Sequence, residues 1–238
     1  MMMPLRGTLG TLGVGRGGAK KVFRLTCTTT GAATLTLQSL GIVAGETVIV
    51  EWGDGNSNTY SGTATRTHAY AGAGTWTVTL KTPQHIRILD LRDTKLSGTI
   101  NSANPMPTSL TTLYLNSLPN VTVGAGEIGG LTSLTYLFLN SLPNVAIQTE
   151  YHAAIRTIVY ENNLTQANEL AIMTSIHANR MSYTYTAITL DIAGGGNASP
   201  DGIYADEDPP VTTRGFIYEM VNDPEAEGFK KWAITYTP

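Results

Sequence analysis

The sequence predicts a mainly β protein with some α, in which a small β-sandwich is followed by a stack of repeated parallel strands. Three observations carry this. Charged residues make up 14% of the chain and hydrophobic residues 42%, a balance that suits sheets with many turns better than charged helical bundles. Short apolar–polar alternations crowd residues 22–82, the period expected of strands with one buried face. The segment Ser109 to Val121 recurs as Ser133 to Val145 with two changes, Thr112/Tyr136 and Tyr114/Phe138, and self-similarity at such a spacing marks stacked units. At 238 residues the chain can hold one large or two small domains with real cores.

Residues 1–21 form a Gly-rich basic arm carrying Arg6, Arg16, Lys20 and Lys21 and no acid. The arm is too poor in apolar surface to order itself, so it is expected to be a flexible tail or an arm that orders by docking into a neighbouring subunit. It contains G-x-G-x-x-G at Gly13, Gly15 and Gly18. No strand precedes these glycines and no βαβ unit follows, so a dinucleotide site is not expected.

Residues 22–83 hold the sandwich. Alternation is clear in Val22 to Thr26, Thr34 to Leu37, Thr47 to Trp52 and Thr75 to Leu80, and Gly53-Asp54-Gly55-Asn56 supplies turn chemistry. The string Val50-Glu51-Trp52-Gly53-Asp54-Gly55, then His68-Ala69-Tyr70, then Gly74-Thr75-Trp76-Thr77-Val78-Thr79-Leu80 resembles the PKD domain, with Trp76 where that family usually has Tyr. The resemblance covers about a quarter of the chain and implies an Ig-like sandwich that acts as a spacer or binding module. It also implies structural roles for Trp52, Asp54, His68, Tyr70 and Trp76, with Asp54 a turn-forming carboxylate and His68 a hydrogen-bonded residue.

Residues 84–200 hold the repeats. Leu110 returns as Leu134, 24 residues on (134 − 110), and the L-x-x-L-x-L pattern is similar to leucine-rich repeats. Weaker copies occur at Ile86 to Leu91, Ile155 to Tyr160 and Ile188 to Ile192. One repeat cannot cover its own apolar edge, whereas a stack shares a Leu/Ile core. Leu113, Leu115, Leu137 and Leu139 should face inward, leaving Thr112, Tyr114, Tyr136 and Phe138 as a binding face of exposed side chains. Leu118 and Leu142 stand where the family places asparagine, which appears only as Asn163, so the buried Asn ladder and regular loops are in doubt. A helix is expected from Thr165, as N-cap, to about Arg180, with Leu170, Met173 and Ile176 on its apolar side. Asn163-Leu164-Thr165, that helix and Leu190 to Pro200 resemble the terminal repeats of leucine-rich-repeat proteins encoded by phages and prophages. Residues 201–238 would form a C-terminal cap with a turn at Val221 to Pro224 and a last strand at Lys231 to Tyr236.

Catalysis is not expected. His68, His85, His152 and His177 are scattered, and no G-x-S-x-G, P-loop, kinase or H-E-x-x-H pattern occurs. Asp201 and Asp206-Glu207-Asp208 lack the order of a calcium loop, so Ca²⁺ is considered but not favoured, and no metal or cofactor is expected. Cys27, the only cysteine, reads as a small core hydrophobe. A net charge of −3 points to neither nucleic acid nor anionic membrane, and no apolar stretch is long enough to span a bilayer. The N-terminus has no continuous apolar run and no cleavage site, so no secretory signal is expected. Modules of these two kinds usually work outside the cytoplasm, and a virion component leaves by lysis without a signal. The expectation is a non-enzymatic bacteriophage virion protein, a capsid decoration or tail-fibre part. It would pack against other virion proteins or copies of itself and would contact a host-surface glycan or protein. The alternatives are a bacterial cell-surface adhesin and, further off, a glycan-processing enzyme fragment or an intracellular leucine-rich-repeat effector.

Overall fold

Two mixed sheets, one of six strands and one of eight, organise the chain. A computed structural model describes residues 22–146, 148, 151, 154–160, 164–179, 187–194, 200–202, 204–205, 210–222 and 231–236. The basic arm, its G-x-G-x-x-G, His152, Asn163 and Asp206-Glu207-Asp208 lie outside the described residues.

The first strands are β1 (Val22–Thr29), β2 (Ala33–Ile42), β3 (Val48–Glu51), β4 (Ser57–Tyr60), β5 (Thr63–Tyr70) and β6 (Gly74–Lys81). In β1 the alternation sends Phe23, Leu25 and Cys27 into the core. Burial, with Asp93 adding to it, pushes the Cys27 thiol up to about 11, which suits an inert packing residue. β1 pairs antiparallel with β6, β6 with β3 and β3 with β4. β2 pairs antiparallel with β5 in the opposing sheet, with a register shift between Leu37 and Leu40. β4 and β5 are Ser- and Thr-rich edge strands whose side chains are mostly exposed, so they carry little of the apolar alternation from which strands are predicted.

The chain continues through β7 (Ile86–Asp90), β8 (Leu96–Ile100), β9 (Thr112–Tyr114), β10 (Asn120–Val123), β11 (Tyr136–Phe138), β12 (Thr157–Val159), α1 (Gln166–Ala178), β13 (Ala187–Ile192), α2 (Thr213–Asn222) and β14 (Lys231–Tyr236). Strand pairing crosses the expected junction at residues 83–84 in both sheets. β7 is antiparallel to β2 on one side and parallel to β9 on the other. From β9 a parallel ladder runs through β11, β12 and β13 to β14. In the second sheet, β8 is antiparallel to β1 and parallel to β10, and Val123 bridges onward to Val145. One hydrophobic core therefore runs from Phe23 to Trp232.

Leu89, Leu113, Leu137, Ile158 and Leu190 stack in register along the ladder, each fully buried. Burial of side chains of this size stabilises by about 2–3 kcal/mol each. The corner after each of the two matching strands is alike. Ser117 and Ser141 adopt left-handed φ values of 64° and 56°, which turns Leu118 and Leu142 back into the core. The Asn144 amide donates to the Pro119 carbonyl at 2.8 Å and ties successive corners together. The two corners are thus regular in spite of the missing asparagine.

Thr165 caps α1 by accepting from the Asn168 amide. The buried side of α1 is Ile172, Met173 and Ile176, while Leu170 is only half-buried. Helix α2 lies where the sequence indicates no helix; Val221 and Asn222 are its last residues, and Asp223 and Pro224 of the expected turn lie outside the described residues. Thr212 Oγ1 accepts from the Gly215 amide, and Asp201 Oδ1 accepts from the Thr213 amide at 2.9 Å. Asp201 thus satisfies a free helix N-terminus. Phe216, Ile217 and Met220 face inward, and His177 of α1 lies 2.7 Å from Glu219 of α2. Gly215 and the β-branched Thr213, Ile217 and Val221 lower helix propensity here, so packing decides the conformation. No helix among the described residues is long and apolar enough to cross a membrane.

Candidate functional site

The outer face of the parallel ladder is built by alternation about the buried central residues. Ile88, Thr112, Tyr136, Thr157 and Thr189 align in one outward row, and Asp90, Tyr114, Phe138, Val159 and Asp191 in a second. The residues expected there, Thr112, Tyr114, Tyr136 and Phe138, do share this face, but they are half-buried instead of exposed. For Tyr114 and Phe138 the cause is ring packing. Tyr114 and Phe138 stand face to face, with centroids 4.5 Å apart and planes within 8°, as the spacing of neighbouring strands allows.

The Arg92 guanidinium lies over the Tyr114 ring, 5.0 Å from its centroid. It also grips Asp90 as a fork, Nε donating to Oδ1 at 2.9 Å and Nη2 to Oδ2 at 2.6 Å. That bond outweighs partial burial, which acts the other way, and keeps the Arg92 pKa above the ordinary guanidinium value. Beside this pair is an open concavity of about 480 Å³. Gln38 and Ser39 of β2 form one wall, Ile88 and Thr112 the floor, and Asp90, Arg92, Tyr114 and Tyr136 the rest. The concavity lies where the register shift in β2 meets the ladder. Gly41 lies opposite Ile88, where a Cβ would come within 2.7 Å of that side chain, so a larger residue would displace the floor.

Sequence reasoning missed Gln38, Ser39, Asp90 and Arg92 as members of this site. Alternation within β7 would have placed Asp90 on the outer face. Nothing local to Gln38 or Ser39 indicates that β2 lies against β7.

The sandwich motif residues come together as a second cluster. Trp52 and His68 are stacked at 4.8 Å, His68 meets Tyr70 edge-on at 4.7 Å, and Tyr70 stacks on Trp76 at 5.1 Å. The Tyr70 hydroxyl donates to the Trp52 carbonyl at 2.8 Å, and Trp52 Nε1 donates to Asn58 at 2.7 Å. Asp54 accepts from the Asn56 amide within the turn, and His68 Nε2 lies 2.7 Å from its other oxygen. Desolvation alone would raise the Asp54 pKa, but the hydrogen bonds from His68 and Asn56 outweigh it and hold the carboxyl at about 2. A folded-state pKa below the unfolded value gives stability that is complete above the unfolded pKa near 4 and is lost as pH falls through 2. The expected contribution is on the order of 1–2 kcal/mol after allowance for partial exposure. Acid titration of unfolding free energy should show this loss in the wild type and much less of it in Asp54→Asn.

Another buried acid escaped the sequence reading. Glu169 of α1 is fully buried, neither of its oxygens has a hydrogen-bond partner among the described residues, and burial with Asp201 nearby pushes it up to about 7. Among the described residues no group of three or more His, Cys, Asp or Glu side chains is placed to hold a metal ion.

No family model matches the chain, and neither a curated protein nor a solved structure matches it.

Proposed function

We propose that this chain is a non-enzymatic structural or adhesion component of a bacteriophage virion, a capsid decoration or tail-fibre protein. In this reading a PKD-like sandwich runs into a leucine-rich-repeat-like ladder, residues 1–21 dock the chain to neighbouring subunits, and the outer ladder face makes contacts. The observation that carries the reading is that face. Its threonines, aromatic rings and aliphatic side chains remain partly open to solvent in the isolated chain, with Asp90 buried under Arg92 and Asp191 at the far end of the second row. Aromatic-rich, charge-poor patches of this kind are characteristic of contact surfaces. The single core shared by sandwich and ladder also supports a rigid spacer that holds the face in a defined orientation.

Mass spectrometry of particles purified from the source tests this. The expected result is the chain in fixed ratio to the major capsid protein, with a high ratio marking decoration and a low one a tail part. Absence from particles, with the chain on host envelopes instead, would overturn the virion reading in favour of the cell-surface adhesin.

A further inference from the structure

The aromatic side chains of the ladder face do not offer equivalent surfaces. One face of the Tyr114 ring is covered by Phe138 and the other by Arg92. Tyr136 stands in the other row, between Thr112 and Thr157; it is half-buried, and its hydroxyl accepts from Arg156 Nη1 at 3.4 Å. It borders the 480 Å³ concavity, which falls within the size range of small-molecule sites. We infer that this concavity is a binding subsite for an uncharged pyranose sugar, stacked on Tyr136 and hydrogen-bonded by Gln38, Ser39, Asp90 and Arg92.

Three features select that chemistry. The polarised C–H face of a pyranose packs on the electron-rich face of a tyrosine ring, and of the two tyrosines that line the concavity Tyr136 is the one with no ring stacked on it among the described residues. The wall opposite carries hydroxyl-binding groups of both senses. The Gln38 amide and Ser39 hydroxyl form no hydrogen bonds among the described residues, Arg92 Nη1 still has donors to give, and the Asp90 carboxylate retains acceptor capacity. Adjacent hydroxyls on a sugar ring can meet such a paired acceptor and donor together. Finally, Asp90 and Arg92 neutralise each other in their fork. An anionic sugar would have to compete for Arg92 and leave the Asp90 carboxylate, almost entirely buried, without its partner.

This inference rests on the ladder face being a contact surface and is independent of the virion assignment. The full chain, labelled and applied to a printed array of neutral, sialylated, sulfated and uronate-bearing oligosaccharides, provides the test. Neutral oligosaccharides should give signal that falls at least tenfold in Tyr136→Ala and in Gln38→Trp, which fills the concavity from an exposed position. Thr28→Ala, exposed on β1, should bind like the wild type, and circular dichroism should show all three variants folded. Signal confined to charged glycans, or neutral-glycan signal that both site variants retain, would overturn the inference. A blank array would overturn it as well. Hydrogen exchange of residues 136–138 in the chain's native assembly then separates the two readings. Protection beyond that of the isolated chain, where β11 is already paired on both sides, would keep the contact surface and assign it to a protein, whereas no added protection would remove both.

Discussion

Gly53→Ala should cost about 2–5 kcal/mol of unfolding free energy, from two causes acting at one atom. Gly53 has φ 88°, a conformation that costs an L-residue roughly 1–2 kcal/mol. A Cβ there would also lie 2.6 Å from the Thr77 amide nitrogen and 2.8 Å from its carbonyl oxygen. These are backbone atoms of β6, which is held by β1 on one side and by β3 on the other. They cannot retreat without breaking a ladder, so overpacking adds about 1–3 kcal/mol. Gly55 is the control, with a similar φ of 92° and open space around the missing Cβ. Gly55→Ala should therefore lose only the conformational part, about 1–2 kcal/mol. Urea denaturation with an unchanged slope would measure both. Equal losses in the two variants would show that the close approach to Thr77 carries no cost.

Leu137→Ala is expected to have an effect of similar size, about 3–5 kcal/mol, because it opens a cavity in the middle of the ladder. Leu137 is fully buried and lies in register between Leu113 and Ile158. Neither neighbour can close the gap, since each is fixed by the next strand. Phe138→Ala, one residue away, removes a larger side chain and should cost less, about 1–2 kcal/mol. Its ring is half-buried and loses mainly the stack on Tyr114. The order of the two effects tests the inward and outward assignment directly. If Phe138→Ala were the more damaging, the outer face would be a packed interior and not a surface for contact.

Legibility in the sequence followed how local the signal was. Period-two alternation marked β1, β3 and β6 and the first half of β2, because each of them buries one face. The repeat marked the ladder strands from β7 to β13, and capping chemistry marked α1 at Thr165. The missed elements share one property. β4 and β5 are polar edges, while β8 and β10 are short segments that become strands by pairing with β1 and with each other. Helix α2 forms by burying Phe216, Ile217 and Met220 against the rest of the chain. In each case the free energy comes from partners distant in sequence, so local patterning carries little of it.

The same division holds at the candidate site. The sequence by itself determined the mainly β class, the repeat spacing, the inward leucines and the sharing of one face by Thr112, Tyr114, Tyr136 and Phe138. These follow from covalent periodicity, because a strand must send alternate side chains to opposite sides. Only the tertiary structure decided that the Tyr114 ring is packed between Phe138 and Arg92, that the Asp90–Arg92 fork forms a neutral wall, and that Gln38 and Ser39 complete a concavity. Those facts depend on β2 pairing with β7 across more than forty residues of chain, and on which ring stands beside which between strands. Such neighbours are set by packing of the whole core, and no local stretch of sequence specifies them.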